Sequence, residues 1–252
     1  MAESKSNSQN GKVALVTGSA RRVGAETVRT LHAENFNVII HYRNSAEEAG
    51  QLAGELNTLR PDSARTIQGD LLQTEALPRL VEEATACWGR LDVLVNNASA
   101  FYPTEMGTIT ERDWNVLVGS NLKGPLFLSQ AAAPELTRNQ GCIVNMIDIH
   151  ADRPLKNYTV YSVAKAGLAA LTKSLARELG PAVRANGVAP GAILWPEAPH
   201  HSAKHQEIIA RTALKREGEP SDIARTIVFL VKDAPYVTGQ IIAVDGGRTL
   251  SN

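Results

Sequence analysis

Lys12-Val-Ala-Leu-Val-Thr17, followed by Gly18-Ser-Ala-Arg-Arg22-Val-Gly24, is the stretch on which the fold depends. Its first half is a short run rich in β-branched residues bounded by Gly11 and Gly18, which predicts a buried strand. A helical pattern follows from about Arg22 to Glu34. A strand that turns into a helix in this way aims backbone N–H groups and the positive end of a helix dipole at one point, where a pyrophosphate can be held. The turn is not a full G-x-G-x-x-G, because Arg22 stands where a middle glycine would. Taken alone, it reads equally as an ordinary tight turn.

The rhythm that follows decides between the two. Phe36 to Tyr42 reads as a second strand, Ala46 to Leu59 as a helix, Ala64 to Gln68 as a third strand and Thr74 to Trp88 as a helix. Leu91 to Val95 is strand four, Glu111 to Leu136 a long helix, Cys142 to Met146 strand five, Tyr158 to Leu179 a helix and Val183 to Val188 strand six. Beyond Pro190 there is a short helical stretch, Ala203 to Leu214, then a helix from Ser221 to Leu230 capped by Ser221, and a last strand from Gln240 to Val244. Strand and helix alternating in this way imply right-handed parallel crossovers, hence an α/β doubly wound sheet in one domain spanning 1–252. Residues 1–10 are polar and predict a disordered start. The irregular segment 191–217 is long for a loop and predicts a cover over a substrate.

Composition narrows the function. Lys+Arg and Asp+Glu balance at 26 each, so no overall field selects nucleic acid or an anionic membrane. No stretch approaches the length of an apolar membrane span and the start lacks the apolar core of a secretion signal, so a cytoplasmic protein is expected. The 2 cysteines, Cys87 and Cys142, provide neither a disulfide framework nor a zinc site. His200, His201 and His205 lack the carboxylate or cysteine partners of a metal centre, and no metal is expected.

Strand two ends in His41-Tyr42-Arg43-Asn44-Ser45, with no acid to take a ribose 2′-hydroxyl. Arg22, Arg43 and Ser45 instead suit a 2′-phosphate, which favours NADPH over NADH; the alternative is a solvated basic loop. Asp70, after strand three, is placed to accept from an adenine amino group, and Asn96-Asn97-Ala98, after strand four, is small enough for a ribose to pass. On the helix from Tyr158, Tyr161 and Lys165 lie one turn apart. A free phenol ionises near pH 10, roughly, and an adjacent ammonium favours its phenolate, so Lys165 is expected to bring Tyr161 toward the working range of an acid or base. The plain alternative is a surface Lys beside a half-buried Tyr.

Together these motifs, from Thr17-Gly18 to Gly24 through Asp70, Asn96-Asn97-Ala98, Asn121, Tyr161 to Lys165 and Pro190-Gly191, resemble the short-chain dehydrogenase/reductase family over nearly the whole chain. The resemblance implies a Rossmann-type sheet of seven parallel strands with helices on both faces, hydride transfer from a nicotinamide nucleotide, and a homotetramer. It implies Tyr161 as proton donor, Lys165 gripping the ribose and lowering the Tyr pKa, and Asn121 holding a water in the proton relay. The implied cofactor contacts are Gly18, Arg22, Val23, Gly24, His41, Tyr42, Arg43, Ser45, Asp70, Leu71, Asn97, Ala98, Ser99, Lys165, Pro190 and Gly191.

One departure matters. Most members of that family have a serine thirteen positions before the Tyr, and here that position is Asp148. An ionised carboxylate cannot donate to a carbonyl oxygen, whereas an acid beside a tyrosine suits protonation of a ring nitrogen. With Asn97-Ala98-Ser99-Ala100-Phe101-Tyr102-Pro103, this resembles the pteridine reductase branch, in which the ring matching Phe101 stacks on the pterin and the residue matching Ser99 contacts both pterin and cofactor phosphate. The implied substrates are dihydropterins and dihydrofolate, with Ser99, Phe101, Asp148 and Tyr161 as contacts. Phe101 as a core plug, and Asp148 as a helix cap or partner of Arg153, are the structural alternatives. An NADPH-dependent carbonyl reductase and a non-catalytic NADP-binding regulator are the functional ones.

Overall fold

Val13–Val16 (β1) is buried at every residue, as a parallel strand covered on both faces must be. The computed structural model describes residues 11–193 and 203–250, and the expectations for 1–10 and for 194–202 of the covering segment lie outside these. Strands β2 (Asn37–Tyr42), β3 (Ala64–Gln68), β4 (Val93–Asn96), β5 (Cys142–Met146), β6 (Arg184–Pro190) and β7 (Ile241–Val244) join β1 in one sheet. The sheet is 7-stranded in the order β3-β2-β1-β4-β5-β6-β7, and every pairing is parallel.

The period of 2 along each strand sends alternate residues into two cores. Ala14, Val16, Val38, Ile40, Val95 and Val144 meet α1 (Arg22–Ala33), α2 (Ala46–Leu59) and α8 (Pro220–Lys232). Val13, Leu15, Ile39, Leu94 and Ile143 meet α3 (Leu77–Ala86), α5 (Gly124–Arg138) and α6 (Thr159–Leu179). The expected doubly wound architecture, with helices on both faces, is therefore present. Because successive strands are added outward in one direction from β1 to β3 and in the opposite direction from β4 onward, a crevice opens between β1 and β4 beyond the carboxyl ends of the strands. There the chain places Gly18, Arg43, Asp70, Asn97, Asp148 and Pro190.

Several boundaries differ from expectation for physical reasons. The helix expected over 74–88 opens as a 3-10 turn, Thr74–Ala76, before α3, whose first turn contains Pro78. The helix expected from Glu111 is α4 (Glu111–Val118), a π segment at Gly119–Lys123, then α5. The expected cap Ser221 is not the cap: Glu219 is, in a capping box with Asp222, and Pro220 takes the first turn, where its missing N–H costs nothing. The helix expected over 203–214 is α7 (Ala203–Ala210), which stops short of Leu214.

Candidate active site

The turn after β1 is built as the sequence suggests, and Arg22 pays for the missing glycine. Gly18 has φ 59°, and a Cβ there would stand 2.9 Å from Ala98 Cα. Arg22 itself sits in the left-handed region at φ 55°, a conformation that strains a side chain by about 1 kcal/mol. A Cβ on Gly24 would meet Asn97 Nδ2 at 2.6 Å and Ser19 Cα at 2.7 Å, so this turn of α1 lies flat against the sheet end. The α1 N-terminus has no side-chain cap and no acid in its first turn, which leaves its N–H groups and dipole open to an anion. Val23 packs on the core beneath. These features fit a dinucleotide pyrophosphate.

Thr17 and Asn97 brace this cradle. The Thr17 hydroxyl accepts from the N–H groups of Asn97 (2.9 Å) and Ala98 (3.0 Å), and Asn97 Nδ2 donates to the carbonyls of Thr17 (2.8 Å) and Gly18 (3.0 Å). His41 is placed behind the turn rather than in the crevice: it is buried, and its Nδ1 accepts from the Gly18 N–H at 3.1 Å. Burial pushes its pKa down to about 4, against the opposing pull of a Gly69 backbone bond and the Asp70 charge. The expectation that His41 touches cofactor is corrected on this ground. Leu71 likewise turns its side chain into the core.

Beside the turn, a cavity of about 670 Å³ is lined by Arg43, Asn44, Gln68, Asp70 and Gln73, among others. Arg43 is exposed, Ser45 caps α2 through its main chain, and Tyr42 is half-buried on the core. Asp70 Oδ1 accepts from the Leu72 N–H at 3.0 Å. Arg43 and Asp70 thus share one cavity, at the position expected of the adenosine end of a dinucleotide. Gly191, at the far side, lies so close to Asp245 that a Cβ would stand 2.7 Å from its Cα.

The reacting groups gather at the end of β5 and the start of α6. Tyr161 is 4% exposed and Lys165 2%, and Asn121 is fully buried in the π segment, a kind of helix irregularity that favours functional sites. The Tyr161 hydroxyl donates to Asp148 Oδ2 at 2.7 Å, while Asp148 Oδ1 accepts from the His150 N–H at 2.8 Å. Asp148 therefore does cap the short 3-10 turn Ile149–Ala151, as one alternative had it, and also engages the tyrosine. Ser99 donates to Asn121 Oδ1 at 2.7 Å, and its hydroxyl also reaches Tyr161. Asn121 Nδ2 donates to the carbonyls of Ala100 and Leu117, both at 2.9 Å. The Asn121 side chain is thus a brace between the Ser99 loop and the π segment.

The expected tuning of Tyr161 is corrected. Its pKa is raised well above the free value, first by burial, then by the Asp148 charge and hydrogen bond, with Ser99 opposing. Lys165 lies 5.7 Å from the phenol ring centroid and donates to the Met146 carbonyl at 2.7 Å. Its own pKa is lowered to about 8 by burial, which the Asp148 charge offsets in part. Burial first, and the adjacent acid second, set the direction of the phenol's shift.

Phe101 is 51% exposed and is no core plug. Its ring stacks on Tyr158 and meets Tyr161 edge on. Tyr158 is the site residue that sequence reasoning did not single out, and Thr17 entered there only as the start of the glycine-rich motif. An aromatic one helical turn before Tyr161, and a hydroxyl directly before Gly18, were the available signals. Among the described residues there is no metal-binding cluster and no helix long and apolar enough to cross a membrane.

A dinucleotide cradle facing a buried Tyr–Lys pair defines the class as an oxidoreductase. The family model described as Enoyl-(Acyl carrier protein) reductase matches residues 18–249. The chain is 36% identical to pteridine reductase 1 of Leishmania tarentolae, over 97% of this chain and 98% of that protein. It is 35% identical to a 3-oxoacyl-acyl-carrier-protein reductase of Staphylococcus aureus, over 94% of this chain and 97% of that one. A crystal structure of a blue fluorescent protein from a metagenomic library, in complex with NADPH, superposes with a TM-score of 0.89 at 36% identity, covering 95% of this chain and 98% of that one. The protein belongs to the short-chain dehydrogenase/reductase family.

Proposed function

We propose that this protein reduces pterins, dihydropterins and dihydrofolate foremost, with NADPH as its cofactor. The observation that carries the reading is the Tyr161–Asp148 hydrogen bond at 2.7 Å, because a carboxylate in that position serves a ring nitrogen better than a carbonyl oxygen. The similarity to pteridine reductase 1 and the half-exposed Phe101 beside the pair support it. The cradle of Gly18, Arg22, Gly24 and Asn97 would hold the pyrophosphate, Arg43 and Ser45 the 2′-phosphate, and Asp70 the adenine. The NADPH complex of a 36% identical relative supports that choice of cofactor.

When bound, NADPH supplies a hydride to the carbon of a ring C=N bond. The chain's task is the proton for the adjacent nitrogen. Tyr161 keeps its proton at neutral pH because burial and Asp148 disfavour the phenolate. Releasing that proton alone would set a phenolate against a carboxylate, so the pair must take up a proton from solvent as it gives one. Asp148 is the group that can carry it, through Oδ2, without moving off the His150 N–H. Ser99 reaches the phenol as well, Asn121 braces Ser99, and Lys165 would grip a ribose hydroxyl. Phe101 offers a flat face for stacking. The same reading expects a homotetramer in the cytoplasm that binds neither nucleic acid nor membrane.

A ketone reductase is the second reading, favoured by the likeness to the 3-oxoacyl reductase. The test is NADPH oxidation with dihydrobiopterin, dihydrofolate, folate and a simple diketone, with NADH in parallel. Turnover of a dihydropterin with NADPH is expected. Turnover of the diketone alone would discard the pterin assignment, and tight NADPH binding with no turnover would leave the non-catalytic regulator.

A further inference from the structure

Phe101 and Tyr158 stack with ring centroids 4.6 Å apart and planes 17° from parallel. The same Phe101 ring meets Tyr161 edge on, at 4.8 Å and 75°. A ring held by one neighbour along its face and another along its edge has little freedom left to tilt, yet half of it stays open to solvent. The main chain on either side is fastened as well. The Thr104 N–H donates to the Asn157 carbonyl, and Thr104 and Tyr158 form an isolated parallel bridge. Tyr158 stands at the N-cap of α6, but its side chain makes no capping bond. The ring is therefore spent on Phe101, not on the helix.

We propose that Tyr158 is a positioning residue that backs Phe101 and fixes the height and tilt of the plate on which a flat aromatic substrate lies. This rests on the reading of Phe101 as that plate. Unbacked, a phenylalanine on a loop would have to be ordered each time substrate binds, and that cost would appear as weaker binding with little change in the chemical step.

The test is steady-state kinetics of the full chain with NADPH and dihydrobiopterin, for Tyr158→Leu, Tyr158→Phe and Phe101→Leu. Tyr158→Leu should raise the pterin KM roughly 2- to 10-fold, the range expected for one aromatic pair. The kcat and the KM for NADPH should hold, and Tyr158→Phe should restore the parent KM, because the stack needs the ring and not the hydroxyl. An equal rise in the NADPH KM would mark a general structural defect and overturn the proposal. Failure of Tyr158→Phe to restore the KM would overturn it too. A lower pterin KM for Tyr158→Leu would show that Tyr158 competes with substrate for the Phe101 face, again overturning it. A rise for Phe101→Leu without one for Tyr158→Leu removes only the backing role. No rise for Phe101→Leu, or no pterin turnover by the parent chain, removes the plate reading and this inference with it.

Discussion

The Tyr161 hydroxyl and the Asp148 carboxylate form a 2.7 Å hydrogen bond in which the phenol is the donor. The other Asp148 oxygen is already engaged by the His150 N–H, so the carboxylate is fixed at both ends and its charge faces the phenol.

Tyr161→Phe should lower kcat by about 10²–10⁴, the usual worth of a positioned acid, while NADPH binding measured by fluorescence titration stays near the parent value. Asp148→Asn removes the charge that helps to raise the phenol pKa, so Tyr161 should ionise at lower pH than in the parent chain. Spectrophotometric tyrosinate titration, with Tyr161→Phe as the blank, reads this directly. An unchanged ionisation would place the Asp148 charge elsewhere.

Lys165 carries a depressed pKa of about 8 in the folded chain, against roughly 10.4 when unfolded. Between those values the unfolded state binds more protons, so stability contributed at this position rises with pH. Lys165→Met should abolish turnover but should not lower cofactor-free stability at pH about 7. From about pH 8 to about pH 10 the parent chain should gain on the variant in urea unfolding.

His41 has the same sign of dependence in a lower window. Its folded pKa of about 4 lies below the unfolded value of roughly 6.5, so stability falls as pH drops from the upper figure to the lower. The full drop is of order 3 kcal/mol for this residue alone. His41→Gln, which can still accept from the Gly18 N–H, should flatten that limb of the stability curve. An equally steep limb in the variant would assign the acid sensitivity to other groups, of which buried His32, bonded to Ser63 and also depressed by burial, is the first candidate.

Arg43→Ala should raise the KM for NADPH roughly 10- to 100-fold, the worth of a charge-assisted bond to phosphate, and that for NADH much less. Equal effects on both would mean that Arg43 makes no contact with a 2′-phosphate.

The fold was legible because burial on both faces leaves a hydrophobic run at the central strands and the helical patterns fall between them; Ala46–Leu59, Ala64–Gln68 and Cys142–Met146 were read to the residue, although edge strand β3 is half exposed. The crevice residues followed, since a parallel sheet leaves only strand ends on which to place them. What was not legible depended on distances between side chains. Nothing in the spacing of Tyr161 and Lys165 says that the ammonium spends its bond on the Met146 carbonyl, or that Asp148 stands closer to the phenol. The π segment at Gly119–Lys123 lies inside a stretch that reads as one long helix, and it ends at Gly124-Pro125, where the proline has no N–H to continue the helical ladder. His41 reads like a crevice residue from its position, yet the pleat of β2 turns it behind the turn.

The fastening of Thr104 to Asn157 and Tyr158 runs through main-chain atoms, and a backbone bond is indifferent to which side chains flank it. The side chains at its two ends are nonetheless constrained, because Asn157 holds φ 67°, where few side chains are at ease, and Thr104 is buried, so substitutions at 104 and 157 would strain the loop that carries Ser99 and Phe101. For anyone retargeting this scaffold to other flat rings, that makes the fastening and the stacked pair above it one unit to leave untouched.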